Sequence, residues 1–326
     1  MIDVLFVMLP NSLLLDLAGP AEAFRIANQS ANQSPKPRFR LRFVGPEAQS
    51  VSSVGAILSN LEPLPLAFDP QAQANWIVLL GRPGSPANVL KPTPQMLAVR
   101  RWLTGVVAPQ LYAPDNQRGE PYRCRLLTVC VGALLAADAG LLHGRRCTTH
   151  HELLEALARC SPDSKVVGNK VFVEDGAIAT SAGVTAGIDL ALHLIARECG
   201  EATASTVAQV MVAYARRTEA DVERSPLLAW RSHIHAGVHR VQEAVTADPR
   251  RDWPTSAQAA IAHVTERHLN RLFQEHAGIT PRDYVEQVRL AIAEHALRAG
   301  MKPTKVAQVS GFKTTRKLAT ARKKAP

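Results

Sequence analysis

Three runs of continuous apolar residues constrain this chain more than any other feature: IDVLFVML (residues 2–9), NWIVLLG (75–81) and RLLTVC (125–130). Each has the length of a strand, is rich in Val, Ile and Leu, and is apolar at successive positions rather than alternate ones. A strand of that kind must be covered on both faces. FRLRFVG (39–45) and AIATSAG (177–183) read as further strands, with small-residue helical stretches between several of them. Strands interleaved with helices predict a doubly wound α/β layer with a mostly parallel sheet. Asp175-Gly176 is a hairpin signal, so one antiparallel excursion is expected there.

The pattern then changes. VTAGIDLALHLIA (184–196) is helical in period, and a further helix is expected over 204–216. RRTEADVERSPLLAW, ending at Trp230, loses apolar periodicity and meets Pro226, which places a linker at 216–232 between an α/β domain, 1–215, and an all-α domain, 233–326. The formal net charge of +10 is unevenly placed: residues 201–326 hold 20 basic and 12 acidic side chains, and from Lys302 onward there are eight Lys or Arg and no acid. That asymmetry points to double-stranded DNA as the partner of the second domain. No apolar run approaches the roughly 18 residues needed to span a bilayer, so no membrane partner is expected. The apolar N-terminus is interrupted by Asp3, Pro10 and Asp16 and reads as a buried strand, not an export signal. Five cysteines without repeated spacing then imply reduced thiols and a cytoplasmic protein.

One cysteine stands apart. In VCVGALLAADAGLLHGRRCTTHH (129–151), an apolar strand runs into Cys130, then Gly132 and a small-residue helix. A side chain on such a strand-to-helix elbow points into the cleft above the sheet's C-terminal edge. Hydrolytic use of a thiol needs a base within reach, and the following residue, Val131, cannot take a proton. His150-His151-Glu152 is the nearby cluster, with Thr148 or Thr149 the expected cap of the helix carrying it. Cys147 and His150 have C-x-x-H spacing, but no second pair matches it, so no metal site is expected. Cys124, Cys160 and Cys199 read as buried or incidental thiols.

With LDLAGPAEAF near the start and VFVEDGAIATSAGVTAGIDLALHLI later, this stretch resembles the class I glutamine-amidotransferase-like (PfpI-type) domain over residues 2–197. More narrowly it is similar to the version fused to AraC-type regulators, the GlxA-like proteins. The resemblance implies a flavodoxin-like fold, a homodimer, and a cleft that senses a small-molecule effector without any cofactor. Relatives that hydrolyse commonly have a histidine after the elbow cysteine, where this chain has Val131, so the implied protein is not an enzyme. The alternative is a cysteine-dependent hydrolase or amidase of the PfpI type with an accessory DNA-binding tail. Candidate ligand-binding residues, at strand ends and loop starts, are Asp16, Gly19, Glu22, Gly81, Cys130 and His150. Asp16 and Glu22 favour a cationic group and the helix start after Cys130 a carboxylate, so an amine or amino-acid derivative satisfies both.

In the second domain Thr265 can cap a helix whose Leu269, Leu272 and Phe273 form one apolar stripe. Arg267, Asn270, Arg271 and Gln274 then share an exposed side, with His268 beside them. Arg suits guanine and Asn or Gln suits adenine in the major groove. Gly278 closes this helix, and Thr280-Pro281 opens a long one carrying Tyr284, Val288, Ile292 and Leu297 inward. TERHLNRLFQEHAGITPRDYVEQVRL resembles the first helix-turn-helix and connecting helix of the AraC/XylS family. PTKVAQVSGFKTTRKLATARKK resembles its second unit, with Thr314 as cap, Leu318 inside, and Lys313, Thr315, Arg316 and Lys317 toward DNA. Gln258 and His263 stand where that family has a core Leu and a turn Gly, and Arg322 where it has a core aromatic. The second unit is expected to be cut short of that family's closing helix.

Overall fold

The computed structural model describes residues 1–30, 37–213, 217–219, 230–231, 233–298 and 300–324. Its contacts fall into two compact units, Met1–Glu223 and Arg224–Pro326. Of the expected linker, residues 216, 220–229 and 232 lie outside the described residues.

In the first unit, strands β1 (Ile2–Val7), β2 (Phe39–Gly45), β3 (Glu62–Pro63), β4 (Ala74–Leu79), β5 (Cys124–Val129), β6 (Phe172–Asp175) and β7 (Ile178–Ser181) form one sheet. Their order is β6-β7-β5-β4-β1-β2-β3. Every pairing is parallel except β6–β7, a hairpin turning at Gly176 with φ 63°. β1, β4 and β5 are buried at every position, which is why their sequences show no polar alternation. Register places Val4 of β1 opposite Leu41 and Trp76. Phe39 and Trp76 pack with Phe24 of helix α1 (Leu14–Ser30), ring centroids 4.8–5.9 Å apart. The remaining principal helices are α2 (Pro94–Trp102), α3 (Gly132–Asp138), α4 (Val184–Cys199) and α5 (Glu201–Val210). This is a flavodoxin-like α/β layer with one antiparallel edge. The helix expected over 204–216 begins earlier, at Glu201, and ends at Val210, where Met211 caps it and the chain turns; residues 214–216 lie outside the described residues.

The described elements of the second unit are all helices: α6 (Ala236–Ala247), α7 (Thr255–Ala262), α8 (Glu266–Ala277), α9 (Pro281–Arg298), α10 (Pro303–Ser310) and α11 (Thr315–Lys324). Their caps follow the sequence. Thr265 accepts the His268 N–H at 3.3 Å, Thr280 the Asp283 N–H at 3.1 Å and Thr314 the Lys317 N–H at 3.1 Å, while Gly278 ends α8 at φ 67°. Two cores result. Trp253, Leu269, Leu272, Phe273, Tyr284 and Val288 belong to the first. Leu290, Ala293, Val306, Ala307, Leu318 and Ala321 belong to the second. Helix α9 feeds both, although Ile292 and Leu297 are only half-buried and Val285 takes a fuller share than the pattern suggested. Gln258 occupies its core position fully buried, with its amide N–H donating to the Trp253 carbonyl at 3.0 Å. Arg322 does not enter the second core; it turns outward to Glu294 at 2.7 Å, and Ala321 packs in its stead.

Candidate functional site

Strand β5 ends at Val129, and the chain reverses at Cys130 with φ 54°, a left-handed conformation that non-glycine residues rarely adopt. Three separate segments hold it there. The Cys130 N–H donates to the Ser181 carbonyl at 3.1 Å, and the Thr149 hydroxyl donates to the Cys130 carbonyl at 2.8 Å. Behind it, Gly132 lies so close to β4 that an added Cβ would stand 2.3 Å from the Leu79 carbonyl oxygen. The thiol-bearing turn is therefore fixed by packing across the sheet, not by its own residues.

Gly81, just past the end of β4, brings Asp16 to this elbow. Its N–H donates to Asp16 Oδ2 at 3.0 Å, and an added Cβ would meet that oxygen at 2.5 Å and Cys130 Cβ at 3.1 Å. Asp16 is fully buried and its Oδ1 has no hydrogen-bond partner. Burial pushes its carboxyl up to about 6, against the smaller pull of the Gly81 N–H. Asp16, Gly81 and Cys130 thus form one cluster.

The other candidates fall differently. Glu22 is on the exposed side of α1, paired with Arg25 at 2.6 Å, because six residues along a helix from Asp16 turn it about 240° away. Gly19 serves packing: a Cβ there would lie 2.7 Å from Ile188 Cγ1 of α4, so α1 and α4 approach through it. His150, not Thr148 or Thr149, caps the short turn His151–Leu153, its Nδ1 accepting the Glu152 N–H at 3.5 Å. Its ring lies tilted against that of His151, centroids 4.2 Å apart. Thr149, the residue before it, supplies the elbow contact that sequence reasoning missed; only its place two residues after Cys147 and beside the histidines hinted at it. A cavity of about 770 Å³ lies elsewhere, at Arg40, Arg42, Glu62 and Phe68 near the β2–β3 edge.

In the second unit, α8 buries Leu269, Leu272 and Phe273 and leaves Arg267, His268, Asn270, Arg271 and Gln274 exposed. The Asn270 amide donates back to the Glu266 carbonyl at 2.9 Å, while Arg271 Nη2 rests 3.4 Å from His268 Nε2. On the second unit's turn and α11, Lys313, Thr315, Arg316 and Lys317 are exposed, with Lys313 Nζ 3.9 Å from Asp252. Among the described residues no helix is long and apolar enough to cross a membrane.

An elbow cysteine on a doubly wound sheet, followed by paired helix-turn-helix units, defines a two-part architecture. Residues 123–197 match the DJ-1/PfpI family, and residues 258–325 match a helix-turn-helix domain. The chain therefore carries a DJ-1/PfpI-type domain and an AraC-type helix-turn-helix domain, and is similar to HTH-type transcriptional regulators. It is 28% identical over 312 residues to the HTH-type transcriptional regulator GbdR of Pseudomonas aeruginosa, covering 95% of this chain and 78% of that one. To the HTH-type transcriptional regulator GlxA of Rhizobium meliloti it is 25% identical, covering 98% and 91%. In fold it is similar to the crystal structure of an AraC family transcriptional regulator from Pseudomonas putida. That match has a TM-score of 0.50 and 18% identity, covering 65% of this chain and 100% of the other.

Proposed function

We propose that the protein is a sequence-specific DNA-binding transcriptional regulator, without turnover of its own, that answers to a small metabolite held at the elbow. The observation that carries the DNA reading is the division of α8. Three apolar residues anchor it in the first core, and Arg267, His268, Asn270, Arg271 and Gln274 stand uncovered on its other sides. Lys313, Thr315, Arg316 and Lys317 offer a second contact surface, suited to an adjacent major groove and its phosphates. In this reading Asn270 releases its bond to Glu266 to reach a base edge, whereas Arg271 has only the His268 ring to leave.

For the effector, Asp16, Gly81 and Cys130 supply the cleft floor, and His150 stands close in sequence to Thr149, which touches the elbow. A buried carboxyl with an unpartnered oxygen favours a ligand with a positive or N–H-bearing end, so we assign an amine or amino-acid derivative. Glu22 and Gly19 drop out of this assignment. Val131 carries no group that can take a proton from the thiol, which supports sensing over hydrolysis. A homodimer is part of the proposal, since two copies would read a repeated operator.

Fluorescence anisotropy on the chain's own upstream DNA tests both parts. Arg271→Ala should weaken specific binding by roughly 10- to 100-fold, the worth of one good base contact. Adding amino acids, betaines or polyamines should change the affinity of the parent protein. Equal binding to scrambled DNA defeats the regulator reading, and indifference to every amine defeats the effector assignment.

A further inference from the structure

Each half of the second unit has its own core, and α9 is the helix both share: Tyr284, Val285 and Val288 serve the first, Leu290 and Ala293 the second. One shared helix leaves the second half free to swing as that helix bends. A second tie joins the halves. From the middle of α9, the half-buried Arg289 sends Nε to the Pro249 carbonyl at 2.9 Å and Nη2 to the Arg251 carbonyl at 2.8 Å. Those carbonyls belong to the loop before α7, which the Trp253 indole N–H closes on the Asp248 carbonyl at 2.8 Å; Trp253 is a member of the first core.

The turn of the second half lies on the same loop. Gly311 ends α10 at φ 82°, and a Cβ there would stand 2.6 Å from the Pro249 oxygen, 2.9 Å from Arg250 Cα and 3.0 Å from Arg289 Nε. The turn between α10 and α11 is thus pressed against a loop of the first half, with the Arg289 guanidinium between them. Only a glycine permits both the left-handed backbone and that approach.

We propose that Arg289 is a positioning residue that fixes the spacing and rotation of α11 relative to α8, and so the half-site spacing that the protein accepts in DNA. The inference rests on the regulator reading above. Its chemistry is specific to arginine: a planar fork donates to two carbonyls at once, which a lysine ammonium on a flexible stem does not reproduce. Neither α8 nor α11 loses a DNA-facing side chain when Arg289 changes, so each half should still bind its own half-site.

The test starts from duplexes that the full-length protein selects from a random double-stranded pool. Binding is then measured to the selected site, to the same site with one to five base pairs inserted between its halves, and to each half alone. The parent protein should lose about tenfold or more on insertion, greatest near half a helical turn, or about 5 base pairs. Arg289→Met and the milder Arg289→Lys should cut that penalty to about threefold or less, with unchanged affinity for single halves. Circular dichroism checks that both variants remain folded. An insertion penalty as steep as the parent's overturns the proposal, and so does a proportional loss on the single halves, which would mark Arg289 as merely structural. If the parent selects no DNA, the regulator reading fails and this inference falls with it.

Discussion

Cys130 and His263 have nearly the same positive φ, 54° and 56°, and neither is a glycine. Each position costs roughly 1–2 kcal/mol relative to a relaxed residue. What holds them differs. Cys130 is 4% exposed and is gripped from β7, from Thr149 and, through Gly132, from β4, segments up to about 50 residues away in sequence. His263 is exposed and sits at the end of α7, where its N–H donates to Ala260 and the next N–H to Ala259, all within one helical turn. Strain that distant packing enforces is a feature of the site; strain that a local turn tolerates is a substitution the fold absorbed.

The largest expected effect attacks the enforcement itself. Gly132→Ala puts a methyl group 2.3 Å from a backbone oxygen of β4, which cannot rotate away as a side chain would. Helix α3 must lift from the sheet, and we expect a loss of about 3 kcal/mol, seen as a thermal midpoint lowered by roughly 6–10 °C for the first unit. A midpoint within a degree of the parent's would show that the elbow relaxes easily, and the contrast with His263 would vanish.

Next in size is Asp16. With its carboxyl raised to about 6 in the native state against 3.8 ordinarily, the folded chain holds more protons than the unfolded one between about pH 4 and 6. Its contribution to stability therefore falls as pH rises through that window and levels off above it. Asp16→Asn removes this term, so the variant should match the parent near pH 4 and exceed it at pH 8 by about 2 kcal/mol. Urea unfolding at both pH values measures the difference between the two proteins, which cancels other titrating groups. A variant less stable than the parent at pH 8 would mean that the ionised carboxylate is held by a partner, and that the elbow is anchored by charge rather than by burial.

Much of this was legible in advance because it is periodic. Continuous apolar runs required a sheet covered on both faces, and the i, i+3, i+4 stripe of Leu269, Leu272 and Phe273 oriented α8. The same logic held the answer for Glu22: with Arg25 and Gln29 it makes an exposed polar stripe at helical spacing, hydrogen-bonded along its length, while Asp16 faces inward. Reading both carboxylates as cleft residues ignored that phase. Gly19, Thr149 and the Arg289–Pro249 contact were out of reach for another reason. Each depends on a partner far along the chain, and no local pattern names that partner.

The smallest effect separates the two strained residues most cleanly. His263→Gly removes a Cβ from a left-handed turn whose N–H groups bond to backbone carbonyls of α7 and whose carbonyls accept from Arg240, and the exposed imidazole leaves no cavity behind. Glycine also loses more chain entropy on folding, which offsets part of the gain, so the net expectation is a second unit more stable by about 0.5–1 kcal/mol. That corresponds to a midpoint raised by roughly 3–6 °C for a unit of this size. Cys130→Gly relieves the same backbone strain, yet it deletes a side chain at 4% exposure from between Gly81 and the elbow's surroundings. Its lost packing should outweigh the relief, and the first unit should become less stable. Calorimetry on the two variants, one rising and one falling, is the outcome expected if left-handed backbone at Cys130 is imposed by the fold and at His263 merely accommodated. Two rises would show that both sites carry unforced strain.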